Sequence, residues 1–257
     1  MKITFLGTGT SQGVPVIGCR CKVCRSDNPK DQRLRSALMI SFDDKRIIID
    51  TGPDFRMQML REKVNKIDAI LYTHEHADHT AGLDDIRPLY FRVNKPIPIY
   101  AQSRVLDDLR QRFDYIFTEK NRYPGAPEVA PHTIIPYQSF HIGGKEITPI
   151  KILHGNLPIT AYRIEDVAYI TDAKYIPDES IKHLQNLEVL IINALHHKPH
   201  KMHLNLTEAL AIIERLQPKK AILTHISHHM GFYDDVSKKL PENVYLAYDG
   251  MEIESSK

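Results

Sequence analysis

Short apolar runs alternate with amphipathic segments along most of the chain. Runs of four to eight residues, bounded by turn residues, predict strands. They are Lys2–Leu6, Ala37–Phe42, Arg46–Asp50, Ile67–Thr73, Pro98–Ala101, Glu146–Leu153, Ala161–Ile164, Val167–Thr171, Glu188–Ala194 and Lys220–Thr224. A period near 3.6 residues predicts helices over Asp54–Lys63, the stretch after His79, Ser103–Phe117, Pro177–Gln185 and Leu206–Leu216. Hairpins mixed with strand–helix units indicate an α/β fold with two mixed sheets and helices outside.

The segment Tyr123–Pro136 interrupts this alternation with four prolines. We predict a loop there, either a surface connection or a lid over a substrate. The sequence contains no internal repeat or linker, and 257 residues suit one sizeable domain. We therefore expect a single domain over residues 1–257.

Composition and charge narrow the class of protein. Hydrophobic residues make up 42% and charged residues 26%, which is typical of globular proteins and argues against disorder. The 34 basic and 32 acidic residues nearly balance, so a large basic surface for nucleic acid is not expected. The apolar runs are far shorter than the ~20 residues that cross a bilayer. The first residues also lack the apolar region of a signal peptide. We expect a cytoplasmic protein without a membrane partner.

The most informative segment is HEHADH at residues 74–79, which follows an apolar strand. Imidazole and carboxylate groups bind zinc and related divalent ions. Four candidate ligands within six positions cannot share one face of a strand or helix, but on a loop they can divide between two ions. These candidates are His74, His76, Asp78 and His79.

Three further ligand-type residues follow apolar strands elsewhere in the chain. They are His154, Asp172 and His225. The carboxyl ends of strands are where open sheets place functional groups. Any one of these residues alone is weak evidence for a metal site. The evidence is stronger because ligand-type residues recur at strand ends in this order.

In this order the residues resemble those of the metallo-β-lactamase-fold hydrolases, over nearly the whole chain. The resemblance implies an αββα four-layer sandwich with a two-metal site. One ion would be held by His74, His76 and His154 and the other by Asp78, His79 and His225, with Asp172 bridging them. With an aspartate at the bridging position, the chain resembles the phosphodiesterase branches of the family. A true β-lactamase would carry a cysteine at that position. Asp50 matches the family's aspartate that supports ligand histidines.

Cys19, Cys21 and Cys24 lie within six residues. An odd, clustered set in a reducing compartment favours metal ligation over a disulfide framework. Tetrahedral zinc needs a fourth ligand, for which His228 is the candidate and His229 the alternative. The cysteine pattern with Thr-His-Ile-Ser-His is similar to that of the bacterial phosphoribosyl 1,2-cyclic phosphate phosphodiesterases. That resemblance implies a structural zinc bound by the three cysteines and His228.

The catalytic chemistry expected of such a site is hydrolytic. Two ions about 3.5–4 Å apart, zinc or manganese, can deprotonate a shared water near neutral pH and clamp a phosphodiester. His203 precedes the predicted helix Leu206–Leu216 and resembles the family's catalytic histidine. We expect it to orient the phosphate and to act as a general acid. Asp78 is the second residue that we predict to be catalytic.

The leading hypothesis is a metal-dependent phosphodiesterase for a small phosphodiester or cyclic phosphate. A tRNA 3′-processing endonuclease is the alternative, although the chain lacks a basic, glycine-rich arm. A metal-stabilised protein without catalysis is another alternative, although no ligand position is lost. Glyoxalase-type thioester hydrolysis is a further alternative that we rank low, because it would not explain the cysteine cluster. A homodimer is an expectation from the family alone.

Overall fold

A computed structural model describes residues 1–118 and 122–256, and two mixed sheets form its centre. The first sheet has the strand order β14–β1–β2–β3–β4–β5–β6 and the second β13–β12–β11–β10–β9–β8–β7. The first sheet contains β1 (Lys2–Gly7), β2 (Ala37–Phe42), β3 (Lys45–Ile49), β4 (Ala69–Leu71), β5 (Ile97–Ala101), β6 (Val129–Thr133) and β14 (Glu252–Glu254). The second contains β7 (Phe140–Ile142), β8 (Lys145–His154), β9 (Leu157–Ile164), β10 (Val167–Ile170), β11 (Val189–Asn193), β12 (Lys220–Thr224) and β13 (Val244–Leu246).

Helices cover the outer faces of the two sheets. Within the described residues they are α1 (Phe55–Arg61), α2 (Ala77–Thr80), α3 (Arg87–Val93), α4 (Ser103–Arg112), α5 (Asp114–Phe117), α6 (Asp178–Lys182), α7 (Leu206–Leu216) and α8 (Tyr233–Ser237). The best-defined start is that of α7, where Asn205 and Glu208 form a reciprocal capping box. None of the helices in residues 1–118 and 122–256 has the length and apolar character needed to cross a membrane.

Three apolar clusters separate four layers. In β3, Ile47 and Ile49 face the cluster between the sheets, while Ile48 faces the cluster under the helices of the first sheet. In β11, Ile191 faces the cluster between the sheets and Ile192 faces α7 and its neighbours. Because both faces of these strands are buried, their sequences are continuously apolar rather than alternating. The αββα four-layer sandwich is confirmed.

The prediction of an uninterrupted loop over residues 123–136 is wrong. Residues Val129–Thr133 form β6, which pairs in parallel with β5 at the edge of the first sheet. A proline within the segment argued against a strand, because proline cannot donate a backbone hydrogen bond. Pro131 is tolerated because β6 has a partner on one side only.

Other differences concern short elements. The strands β7, β13 and β14 were not predicted, because each has three residues and too little pattern to detect. The helix predicted over Ser103–Phe117 divides at Phe113, whose backbone φ of −125° is not helical. Neither difference moves the strands that carry the candidate ligands.

The parallel strands bring the candidate ligands to one end of the sandwich. β3, β4 and β5 are parallel to each other in the first sheet, as are β10, β11 and β12 in the second. Their carboxyl ends therefore lie at common edges. The chain continues from these ends into Asp50, His74, Asp172 and His225.

Candidate metal centres

Three candidate site residues adopt a left-handed backbone conformation that is uncommon outside glycine. The φ angles are 67° at Asp50, 57° at Asp172 and 54° at His225. Each residue lies one or two positions after a strand end. Such a conformation costs about 1–3 kcal/mol and persists where the surrounding structure enforces it, often at functional sites. The surrounding structure therefore holds the backbone at these three strand ends in an uncommon conformation.

Asp172 lies at the centre of the His/Asp cluster. Its Oδ2 is 3.1 Å from His79 Nε2, and its Oδ1 is 3.2 Å from His225 Nε2 and 3.7 Å from His203 Nδ1. Two groups of ligand-type atoms are compact enough to surround one ion each, and Asp172 belongs to both. The groups are His74, His79 and Asp172, and His154, Asp172 and His203.

Each buried histidine uses Nδ1 for a hydrogen bond directed away from this centre. The acceptors are Thr73 Oγ1 for His74 (2.9 Å), Asp50 Oδ2 for His79 (2.7 Å), Met202 O for His154 (3.0 Å) and Ser36 Oγ for His225 (3.2 Å). The Thr73 and Ser36 hydroxyls donate to Asp50 and to Gly9 O respectively, so they accept from the rings. All four rings therefore carry a proton on Nδ1 and direct Nε2 toward the centre.

The Nε2 atoms of His74 and His225 are buried and have no hydrogen-bond partner within the described residues. At His79, the Nε2 atom faces two carboxylate oxygens at 3.1 Å, one from Asp78 and one from Asp172. Burial opposes charge on this ring, but Asp172, Asp78 and Asp50 raise the pKa of His79 well above its ordinary value, so positive charge is favoured between these oxygens. The donor set of imidazoles and carboxylates fits divalent metal ions.

Electrostatics at His74 and Asp172 favour the protonation states that bind metal. Burial lowers the pKa of His74 well below its ordinary value, and charge on His79 lowers it further. Burial opposes ionisation of Asp172, yet His225 and His79 hold the pKa of its carboxyl well below the usual value. The site thus presents a neutral His74 imidazole and an ionised Asp172 carboxylate, the forms that act as ligands.

His76 and Asp78 lie on the solvent side of the cluster. His76 is exposed, with its ring centre 4.6 Å from that of His74 and 5.2 Å from that of His154. The structure therefore brings all seven predicted ligands together. It does not group them as the resemblance implies, because His203 joins one compact group while His76, Asp78 and His225 lie outside both. The assignment of ligands to two ions stays a prediction.

The second cluster joins the amino-terminal loop to the segment after β12. His228 Nδ1 lies 3.4 Å from the sulfurs of Cys19 and Cys21 and 3.3 Å from that of Cys24. Ligands of one tetrahedral zinc are about 3.6 Å apart for Zn–S of about 2.3 Å and Zn–N of about 2.0 Å. His229 packs beside His228 with ring centres 4.0 Å apart. The geometry therefore favours His228 over His229 as the fourth ligand.

Several residues that shape the first cluster were not found from the sequence. A Cβ added to Gly52 would lie 2.1 Å from the carbonyl oxygen of Asp78. Thr51 also donates its N–H to His79 O at 2.8 Å. This glycine belongs to the sequence Ile-Asp-Thr-Gly at residues 49–52, in which the sequence predicts a role for Asp50 alone. Its glycine was the available signal, because close backbone approach is a common reason for glycine at a fixed place.

Comparison with known proteins places these clusters in a family. Residues 45–226 match the model of the beta-lactamase superfamily domain. A crystal structure described as a new diphosphatase from the PhnP family superposes with a TM-score of 0.91 and 42% identity, covering 98% of this chain and 96% of that one. The chain belongs to the PhnP family of this superfamily. The prediction of a metallo-β-lactamase-fold, metal-dependent hydrolase is confirmed.

Two further comparisons are informative. A protein of Porphyromonas gingivalis named octanoyltransferase is 40% identical over 254 residues, which is 98% of this chain. The chain spans about half (51%) of the length of that relative. Zinc-bound PqqB from Methylobacterium extorquens has a TM-score of 0.82 at 18% identity, with 99% and 100% of the two chains covered, and therefore shares the fold.

Gly52→Ala is expected to displace the segment that carries Asp78 and His79. We expect at least about a tenfold loss of divalent-ion affinity at the His/Asp cluster, measured by competition with a chromogenic chelator. Gly125→Ala is the control, because its Cβ would meet first the side chain of Tyr123, which is exposed. Equal affinities in the two variants would show that the close approach at Gly52 does not matter.

Cys21→Ser is expected to remove one zinc per chain and to lower the melting temperature by about 5 °C or more, because metal binding at such sites contributes folding free energy. Turnover per folded molecule should change little, since four protein ligands leave no open position on the ion. Calorimetry with elemental analysis measures the first effect. Arg20→Ala in the same loop is the control, and a melting temperature like that of the control would argue against a structural metal.

Proposed function

We propose that this chain is a phosphodiesterase that hydrolyses a small phosphodiester or cyclic phosphate with two divalent ions. The observation that carries the proposal is the single carboxylate of Asp172, which faces His79 through one oxygen and His225 through the other. A carboxylate shared between two groups of imidazoles is what a dinuclear site requires. The unpartnered Nε2 atoms of His74 and His225 support it.

The proposed holders of the two ions are those implied by the resemblance. His74, His76 and His154 form one set and Asp78, His79 and His225 the other, with Asp172 between them. Bound zinc or manganese would polarise a phosphoryl group and lower the pKa of water. A third ion, zinc, would be held by Cys19, Cys21, Cys24 and His228 and would fix the amino-terminal loop.

His203 is positioned to act on the phosphate. It lies just before α7, with only 13% of its side chain exposed. Its ring centre is 4.7 Å from that of His154 and 5.0 Å from that of His225. Burial, assisted by charge on His225, lowers its pKa to about 3, so the ring is neutral at neutral pH. A neutral ring can donate one N–H to a phosphate oxygen, and the adjacent anionic phosphate would raise the pKa for general-acid action.

A phosphorus-containing substrate is supported by the 42% identical structure described as a diphosphatase. The octanoyltransferase name belongs to a protein of about twice the length, so it does not define the activity of the half that matches. The near balance of 34 basic and 32 acidic residues favours a small substrate over nucleic acid, whose binding depends on many phosphate contacts.

Metal-loaded protein is expected to hydrolyse bis-(p-nitrophenyl) phosphate, and His76→Ala to reduce kcat/KM by at least about tenfold. Loss of a group that supports a ligand already costs about 10–100-fold, and loss of the ligand itself should cost no less. His141→Ala, an exposed histidine on β7, is the control. Absence of turnover above the His76→Ala background would favour the non-catalytic alternative.

His203→Ala is expected to slow a substrate with a poor leaving group more than one that releases p-nitrophenolate. A good leaving group needs no proton, whereas a poor one depends on a general acid. The measurement is kcat for a matched alkyl and p-nitrophenyl ester pair. Equal losses for the two esters would leave His203 only its phosphate-orienting role.

A further inference from the structure

The proposed binding site for the first ion is divided between the two sheets. His74 and His76 follow β4 in the first sheet, whereas His154 ends β8 in the second. The position of one sheet relative to the other at this point therefore sets the separation of the ligands. The backbones meet there through one hydrogen bond, from Thr160 N in β9 to Thr73 O at 3.0 Å.

Arg104, in the first turn of α4, contacts both sides of this junction. Its Nη1 forms an ion pair with Glu75 Oε1, and its Nη2 donates to Pro158 O at 2.6 Å. Glu75 stands between His74 and His76 in the chain. Pro158 lies opposite Leu153 in the β8–β9 pair, next to His154. One planar guanidinium, which holds its donors in fixed directions, thus connects the two halves of the ligand set.

The carboxylate of Glu75 depends on this contact. Its Oε2 is buried and has no hydrogen-bond partner within the described residues. Removing Arg104 would leave the carboxylate without its positive partner and would release the side chain toward water. Because Glu75 is flanked by two proposed ligands, its movement would shift both.

A second arginine of α4 holds the same segment through its backbone. Arg112 Nη2 donates to Glu75 O and to Thr80 Oγ1, both at 2.9 Å. Thr80 Oγ1 in turn donates to His76 O at 2.8 Å. The first and last turns of α4 therefore both hold the segment between Glu75 and Thr80, although α4 itself supplies no ligand.

We propose that Arg104 is a positioning residue that sets the separation between His74/His76 and His154, and with it the affinity for one of the two ions. This inference rests on the proposed function, because it needs an ion at that place. Arg112 restrains the backbone of the segment, whereas Arg104 also contacts the second sheet beside His154.

The test compares Arg104→Gln with Arg110→Gln in the same helix. Arg110 pairs with Asp107 on the exposed face of α4. Arg110→Gln therefore removes the same charge from the same helix without removing a contact at the junction of the two sheets. Divalent-ion binding is measured by competition between the 257-residue protein and a chromogenic chelator, with Zn²⁺ and Mn²⁺ as the probes. The zinc of the cysteine cluster and the melting temperature are measured in parallel.

We expect Arg104→Gln to lower the affinity for one of the two ions at the His/Asp cluster by about 10–100-fold. This is the usual cost of losing a residue that orients ligands. The cysteine-bound zinc and the melting temperature should match those of Arg110→Gln. Arg104→Lys should restore part of the affinity, because it keeps the charge beside Glu75 but loses the fixed link to Pro158.

Wild-type affinity for both ions in Arg104→Gln would overturn the inference while leaving the phosphodiesterase proposal intact. A lower melting temperature with loss of the cysteine-bound zinc would also overturn it, since the arginine would then be a general structural support. Failure of the wild-type protein to bind two ions at the His/Asp cluster would instead remove the proposed function.

Discussion

The convergence of imidazole nitrogens and carboxylate oxygens around Asp172 is the constraint on which this structure depends. The Nε2 atoms of His79 and His225 lie within 3.1–3.2 Å of carboxylate oxygens of Asp78 and Asp172. Burial penalises each of these charges, so removing one partner would leave an uncompensated charge in the interior. Three residues in the left-handed backbone region, which costs about 1–3 kcal/mol each, accompany this arrangement. The rest of the sandwich is the framework that keeps these groups together.

The framework is stable because it is apolar on both faces of each central strand. The clusters between and outside the sheets include long series of fully buried side chains such as Ile47, Ile48 and Ile49. Rigid strand ends can then project polar groups into one edge without local collapse. The hydrogen bonds from Nδ1 of each buried histidine add the final orientation.

Much of this arrangement could be predicted from the sequence, for identifiable reasons. Candidate ligands after apolar strands can be found in the sequence because residue type and strand end coincide, as at Asp172 and His225. The contribution of Gly52 was not visible, because it depends on how near Asp78 lies in space. Met202 supports His154 through a backbone carbonyl, which any residue supplies. Arg104 and Glu75 were missed because an ion pair between residues 29 positions apart leaves no local pattern.

The cysteine cluster has a consequence for the order in which the protein matures. His228 stands 204 residues after Cys24, so the thiols leave the ribosome long before the imidazole that completes their cluster. At about 5–20 residues per second, this interval is about 10–40 s. During synthesis the three thiols are an incomplete chelating trio, open to oxidation and to exchange with other metal carriers. The closed cluster then joins an early loop to the segment after β12, which is made late in synthesis.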